Sequence, residues 1–120
     1  MLFPMKAIGE GRLFPEDLES DRKNCIHYEE TGLGKKALFL PFLGIGRRAY
    51  IPLSSIDRVY KRLCVSKGFF EEGKIYGSLS YLVICFEGRE KAFRFLREEN
   101  LDALLDALRV KTDIPVGKKN

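Results

Sequence analysis

The chain has 120 residues, which is enough for one domain, residues 1–120, and leaves no room for a second hydrophobic core of ordinary size. Hydrophobic residues make up 45% of the chain, and nine Phe with five Tyr supply bulky side chains, so a core can form without disulfides or a metal. The 21 Lys and Arg exceed the 17 Asp and Glu by a net charge of only +4, which disfavours nucleic acid as the partner.

Cysteine usage and the length of the apolar runs indicate the compartment. Cys25, Cys64 and Cys85 are odd in number and far apart, which is typical of a reducing cytoplasm and predicts no disulfide. The longest apolar runs, 37–43 and 81–86, are far shorter than the roughly 18 to 20 residues of a membrane-spanning helix. We therefore predict a cytoplasmic protein and leave open peripheral attachment to the inner membrane face.

The first half of the chain predicts an irregular leader followed by a meander. In the leader, residues 1–23, a helical turn is expected at 15–19, where proline suits the first helical position and acidic residues favour a helix start. Alternating and β-branched residues then predict four consecutive strands, at 25–29, 36–42, 47–53 and 56–65.

Glycine and proline punctuate these strands. The glycines of Thr31–Gly34 predict a tight hairpin turn, and Gly44 with Gly46 predict a second. Pro52 has no amide N–H, so the third strand should end there or lie at a sheet edge.

The second half predicts three more strands and one helix. Strands at 74–78, 80–86 and 90–96 follow a loop at 66–73 and bring the total to about seven. Leucines at 101, 104, 105 and 108 form one apolar stripe, which predicts an amphipathic helix over about 99–111. The remaining residues, 112–120, are predicted to be a flexible tail. The fold class is therefore mainly β, or α+β by content: an antiparallel barrel or sandwich capped by a C-terminal helix.

This order of elements resembles the pleckstrin-homology-like (PH-like) superfold, including its GRAM-like and bacterial members. The resemblance covers roughly residues 24–111. Its most suggestive stretch is 49–60, Ala-Tyr-Ile-Pro-Leu-Ser-Ser-Ile-Asp-Arg-Val-Tyr, which is similar to the strand, proline, turn and strand pattern of bacterial proteins with this fold. The resemblance implies a fold and no particular activity. Lipid-binding relatives carry basic residues around the first hairpin, whereas here Glu29 and Glu30 precede Lys35 and Lys36 and would repel a phosphate.

Catalytic groups are scarce. His27 is the only histidine, so any Ser–His–Asp or Cys–His arrangement must include it. On a strand, Cys25 and His27 point to the same face, where they either are ordinary strand residues or begin a metal site or a nucleophile–base pair. We prefer the first interpretation and predict no catalytic residue, metal or cofactor. A small-molecule binder or enzyme that uses Cys25 and His27 stays as an alternative.

The predicted binding surface is the tip of the second hairpin. Its apolar residues Phe42, Leu43 and Ile45 are followed by Arg47 and Arg48, and a second basic face is formed by Arg58, Lys61 and Arg62. The preferred function is a non-catalytic interaction module that binds a protein partner or a second copy of itself. The alternative is peripheral binding to anionic lipids, in which apolar side chains enter the interface and cations contact the headgroups.

Overall fold

The structure, a computed structural model, describes residues 6–41, 48–65, 70–71, 74–75 and 78–117, with side chains over 6–41, 48–64 and 79–117. These residues form a mixed α+β fold that is mostly β by content, as predicted. In chain order the elements are β1 (Lys6–Ala7), α1 (Pro15–Lys23), β2 (Ile26–Tyr28), β3 (Thr31–Leu33), β4 (Ala37–Leu40), β5 (Ala49–Pro52), β6 (Arg58–Val65), β7 (Phe70–Glu71), β8 (Lys74–Ile75), β9 (Ser78–Phe86), β10 (Arg89–Phe95) and α2 (Glu98–Lys111).

The strands form two main sheets and do not close into a barrel within the described ranges. Sheet A has the order β1-β5-β4-β3-β2, and sheet B has the order β10-β9-β6. Among the residues that the structure describes, β7 and β8 pair with each other and with no other strand. All pairs are antiparallel except β1 with β5. The predicted barrel or sandwich is thus observed as two open sheets.

The predicted meander is observed through β5 with one additional strand, β3, in place of the predicted turn, and it is wrong at β6. The strand β5 ends at Pro52, as the missing amide N–H predicts, and a single helical turn at Leu53–Ser55 follows. This turn directs the chain to sheet B, where Asp57 N–H donates to the carbonyl of Cys85 at 2.8 Å and β6 pairs with β9.

The leader is more ordered than predicted. The expected helical turn extends to the nine-residue α1, with acidic residues in its first turn and basic residues in its last. Before it, Lys6 N–H donates to the carbonyl of Arg48 at 2.9 Å and Ile8 N–H to that of Tyr50 at 2.8 Å. These hydrogen bonds place β1 at the edge of sheet A. A strand of two residues has no periodicity that the sequence could reveal.

The first predicted hairpin turn is displaced by two residues. The turn lies at Glu29 and Glu30, where Glu29 adopts a φ of 58°, and Gly32 lies within β3. Gly32 is needed for space, because a Cβ there would lie 2.7 Å from the Cys25 sulfur. Gly34 likewise leaves room for the carboxylate of Asp21.

The main core lies between the two sheets and α2. The predicted stripe, Leu101, Leu104, Leu105 and Leu108, is buried against apolar side chains of both sheets, and the helix spans residues 98–111, which confirms the prediction. A smaller cluster beneath α1 joins Phe39 and Tyr50 to Leu13, Leu18 and Cys25. No helix in the described part of the chain is both long and apolar enough to cross a bilayer.

The predicted flexible tail is bound to β6 as far as the structure describes it. Val59 N–H donates to the carbonyl of Pro115 at 3.0 Å, and Gly117 N–H donates to that of Val59 at 2.8 Å. The guanidinium of Arg58 also donates to the Gly117 carbonyl at 2.7 Å. Backbone pairing therefore holds residues up to 117 on the edge of sheet B.

Asp21 fastens α1 to sheet A. Its carboxylate, only 8% exposed, accepts backbone N–H groups of Lys35 at 2.7 Å, Lys36 at 3.0 Å and Ala37 at 2.9 Å. Hydrogen bonds to a charged acceptor are stronger than neutral ones. The turn before β4 is thus organised by a helical side chain.

Glu29 fastens α2 to sheet A in the same way. Its carboxylate accepts the backbone N–H groups of Leu96 at 2.7 Å and Arg97 at 2.9 Å and the side-chain amide of Asn100 at 2.9 Å. Partial burial opposes the negative charge, but these hydrogen bonds and the nearby Arg97 outweigh it and lower the pKa of Glu29. The charge also complements the helix dipole.

Replacing Asp21 with Ala should lower the free energy of unfolding by about 3 kcal/mol, because three backbone N–H groups lose a charged acceptor. Urea denaturation measures this. The matched control is Asp17→Ala on the same helix, which removes an exposed ion pair with Lys36 at 3.3 Å and should cost less than about 1 kcal/mol. Equal costs for the two variants would contradict the assigned role of Asp21.

The stability that Glu29 contributes should depend on pH. Because its pKa is lower in the folded chain, the contribution is complete above the ordinary glutamate pKa of about 4.3 and is lost as pH falls through the lowered value. In urea denaturation between about pH 6 and pH 2.5, Glu29→Gln should show a shallower loss of stability than the wild type. Glu30→Gln, a change in the same turn that keeps these hydrogen bonds, is the control. If the free energy of unfolding changed with pH equally in Glu29→Gln and the wild type, the stabilising role assigned to the Glu29 carboxylate would be refuted.

Candidate binding cleft

A cleft of about 280 Å³ lies where the end of α1 meets β2, β4 and the residue before β5. Its apolar part is formed by Phe39, Leu40 and Pro41. Its polar part is formed by Arg22, Cys25, His27, Glu29, Glu30 and Arg48. The volume is near the lower limit of ligand pockets, so the space suits a group about the size of one side chain or a small organic molecule.

The register of sheet A explains why the surface is concave here. His27 lies opposite Gly32 on β3, and Gly32 lies opposite Phe39 on β4. Because the middle member of this row has no side chain, His27 and Phe39 flank a gap, and the Cys25 side chain approaches Gly32 there. The glycine that was predicted to make a turn instead helps to form the cleft.

Cys25 and His27 share one face, as predicted. The sulfur of Cys25 lies 3.9 Å from Nε2 of His27, and its thiol donates to the carbonyl of Arg22 at 3.1 Å. Burial and the nearby Asp21 carboxylate raise the pKa of Cys25 above its ordinary value. A thiol in this state is a poor nucleophile at neutral pH. No group of three His, Cys, Asp or Glu side chains that could hold a metal occurs among the residues whose side chains are described.

The cleft contains two arginines, Arg22 and Arg48, whose charges are not engaged by other described residues. Arg22 is half-buried and Arg48 is exposed. Neither guanidinium forms an ion pair or a hydrogen bond with a residue in the described ranges. Both charges are thus available to a ligand that enters the cleft.

The predicted second basic face contacts other parts of the chain. Lys61 Nζ lies 2.6 Å from Glu98 Oε2 and 2.9 Å from Asp102 Oδ1, so it joins β6 to α2. Arg58 donates to the Gly117 carbonyl at 2.7 Å. These two cations hold elements of the fold together.

Arg62, the third residue of that face, contacts side chains of β6 and β10. It lies 3.6 Å from a Glu90 oxygen, donates to the Tyr60 hydroxyl at 2.8 Å, and places its guanidinium 5.7 Å from the Tyr60 ring centre. The structure brings none of Arg58, Lys61 and Arg62 to the cleft.

The predicted hairpin tip is described only at its end. Phe42, Leu43, Ile45 and Arg47 lie outside the described residues, and Arg48 lines the cleft. Sequence reasoning missed Arg22 as a site residue, because it stopped the first helix at residue 19 and so left Arg22 in an irregular leader. The basic last turn of α1 was the available signal.

Comparisons of the chain with protein-family models, with curated proteins and with solved structures each found no match. What the cleft can bind is therefore inferred from the residues that line it. They provide two guanidinium groups without an ion pair to the described part of the chain, an exposed imidazole and carboxylate, and an apolar patch.

Cys25 should react more slowly with iodoacetamide at neutral pH than an unstructured cysteine, because its raised pKa lowers the thiolate fraction below the few per cent of an ordinary thiol. The measurement is the alkylation rate against pH in a Cys64→Ser, Cys85→Ser background, with the same protein in urea as the reference. Faster alkylation in the folded protein than in urea would identify an activated thiol and contradict this assignment.

Proposed function

We propose that this protein is a non-catalytic binding module that recognises a partner protein through the cleft between α1 and sheet A. The observation that carries the proposal is the pair of arginines, Arg22 and Arg48, that line the cleft with an apolar patch and have no ion pair or side-chain hydrogen bond to any residue that the structure describes. Arginine is enriched at the centres of protein interfaces, where its planar fork binds carboxylates.

Binding is favoured over catalysis by the state of Cys25. Its thiol is held by a backbone carbonyl and its pKa is raised, so it lacks the low pKa of a catalytic cysteine. The alternative use of the site, as a small-molecule pocket that includes Cys25 and His27, is favoured by their separation of 3.9 Å inside the cleft. It is the second candidate.

A protein partner is favoured over a membrane surface by shape and charge. A lipid surface is broad and uniformly anionic, whereas the cleft is concave and carries the exposed carboxylate of Glu30 beside its arginines. Of the predicted basic face, Lys61 pairs with Glu98 and Asp102 and Arg62 pairs with Glu90, while Arg58 donates to a backbone carbonyl. An acidic segment of a protein can match this mixed surface locally.

We further propose that the module is a PH-like, GRAM-like domain of a bacterial cytoplasmic protein. The antiparallel β2–β5 succession, the second antiparallel sheet and the C-terminal α2 packed on the core support this assignment. A second copy of the chain is the simplest candidate partner.

The test compares immobilised wild type with an Arg22→Gln, Arg48→Gln variant for proteins retained from a bacterial cytoplasmic extract. We expect at least one protein to be retained by the wild type and lost by the variant. When purified, it should bind the variant about tenfold or more weakly, because charge-assisted hydrogen bonds are removed. Light scattering of the free chain tests self-association in parallel.

The control is Arg89→Gln, Arg94→Gln, which removes the same charge from exposed positions of β10. Retention that the two variants reduce equally would show a non-specific charge effect and overturn the proposal. A second arm adds anionic vesicles at low and near-physiological salt. Sedimentation with the vesicles that is lost only in the Arg22, Arg48 variant would replace the protein partner by a membrane.

A further inference from the structure

We infer, resting on the proposed function, that the group bound in the cleft is a singly charged carboxylate attached to an apolar or aromatic body. The juxtaposition that supports this inference is Arg22 and Arg48 beside Phe39 and Pro41, with the carboxylate of Glu30 lining the same cleft. The inference names the ligand chemistry, which the proposed function alone leaves open.

The two guanidinium groups provide the anion subsite. A guanidinium presents parallel N–H groups that match the two oxygens of a carboxylate, and such bidentate pairs are among the strongest hydrogen bonds in proteins. Arg22 comes from α1 and Arg48 from the residue before β5, so two separate elements each supply one cation to the cleft.

Glu30 disfavours an anion with two charges. The neighbouring Glu29 carboxylate is already bound by N–H groups at the start of α2, whereas Glu30 is exposed and has no hydrogen bond or ion pair within the described ranges. A phosphate monoester carries about −1.5 to −2 charges at neutral pH. Repulsion by Glu30 therefore opposes a phosphate more strongly than a carboxylate.

Phe39 and Pro41 provide the apolar subsite. They lie two residues apart at the end of β4 and line the cleft together. With a volume of about 280 Å³, the cleft holds one side-chain-sized body next to the anion. A ligand with a carboxylate and an adjacent aromatic ring satisfies both subsites at once.

The probes are phenylacetate, phenyl phosphate and the neutral phenylacetamide, titrated into the ¹⁵N-labelled protein. Backbone amide signals of His27, Gly32 and Phe39 report on the cleft. We expect phenylacetate to shift these signals, phenyl phosphate to bind more weakly, and phenylacetamide to bind about tenfold or more weakly than phenylacetate. A short peptide that ends in phenylalanine, with a free or an amidated C-terminus, tests whether the carboxylate can belong to a protein.

The arginine variants and the Glu30 variant should change ligand affinity in opposite directions. Arg22→Gln and Arg48→Gln should each weaken phenylacetate about tenfold, while Arg94→Gln should leave it unchanged. Glu30→Gln should strengthen phenyl phosphate more than phenylacetate. This gain cannot arise from misfolding, so the test holds even if an arginine variant is unstable.

Equal binding of phenylacetamide and phenylacetate, tighter binding of phenyl phosphate by the wild type, or insensitivity to both arginines would overturn the inference. Failure of the ligand chemistry is distinguishable from failure of the proposed function. If no probe binds but a partner protein still depends on Arg22 and Arg48, only the ligand chemistry is wrong. If phenylacetate binds as expected and no protein depends on these arginines, the inference stands and the cleft is a small-molecule site.

Discussion

The position of α1 depends on one buried carboxylate. Asp21 accepts three successive backbone N–H groups at the start of β4, which fixes the last turn of the helix against sheet A. Since Arg22 follows Asp21 directly and Cys25 begins the next segment, this interaction also places one wall of the cleft. Gly34 belongs to the same arrangement, because a side chain there would occupy the position of the carboxylate. The cleft therefore exists because a helix end is tied to the backbone of a strand.

Carboxylate side chains form many of the contacts between helices and sheets in this fold. These contacts determine which charged groups remain for a ligand. Asp21 binds sheet A to α1, Glu29 binds it to α2, and Glu98 with Asp102 binds α2 to Lys61. Each of these acids is matched by backbone N–H groups or by a cation of the same chain. Arg22 and Arg48 have no such counterpart in the described ranges. A pair of unmatched charges in one concavity is a stronger indication of a binding site than a run of basic residues in the sequence.

Periodicity made part of this fold predictable. The helix α2 follows a pattern of period 3.6, and the strands β4 and β9 are short apolar runs, so the sequence places these elements within a few residues. The strand β1 and the segment at Pro115–Gly117 are positioned largely by backbone hydrogen bonds, which have no compositional signature. Gly32 was misassigned because glycine serves two purposes, positive φ in turns and space for a neighbour, and the sequence does not distinguish them. The cleft was missed because His27 and Phe39 are brought together by strand register, while Arg22 is placed by the attachment of α1 to sheet A through Asp21.

The proposed recognition of an anion does not require a large net charge, and this chain carries only +4. A strong overall field attracts any polyanion, including nucleic acid and membranes, and is weakened by salt. In the proposed site Arg22 and Arg48 bind the anion directly, and Glu30 in the same cleft reduces their combined long-range field. The attraction is therefore greatest for a single anionic group that fits between the guanidinium groups and decreases for ligands with more charge. In this proposal recognition depends on local geometry and on the apolar contact with Phe39 and Pro41, so we expect a selective site rather than a general anion-binding surface.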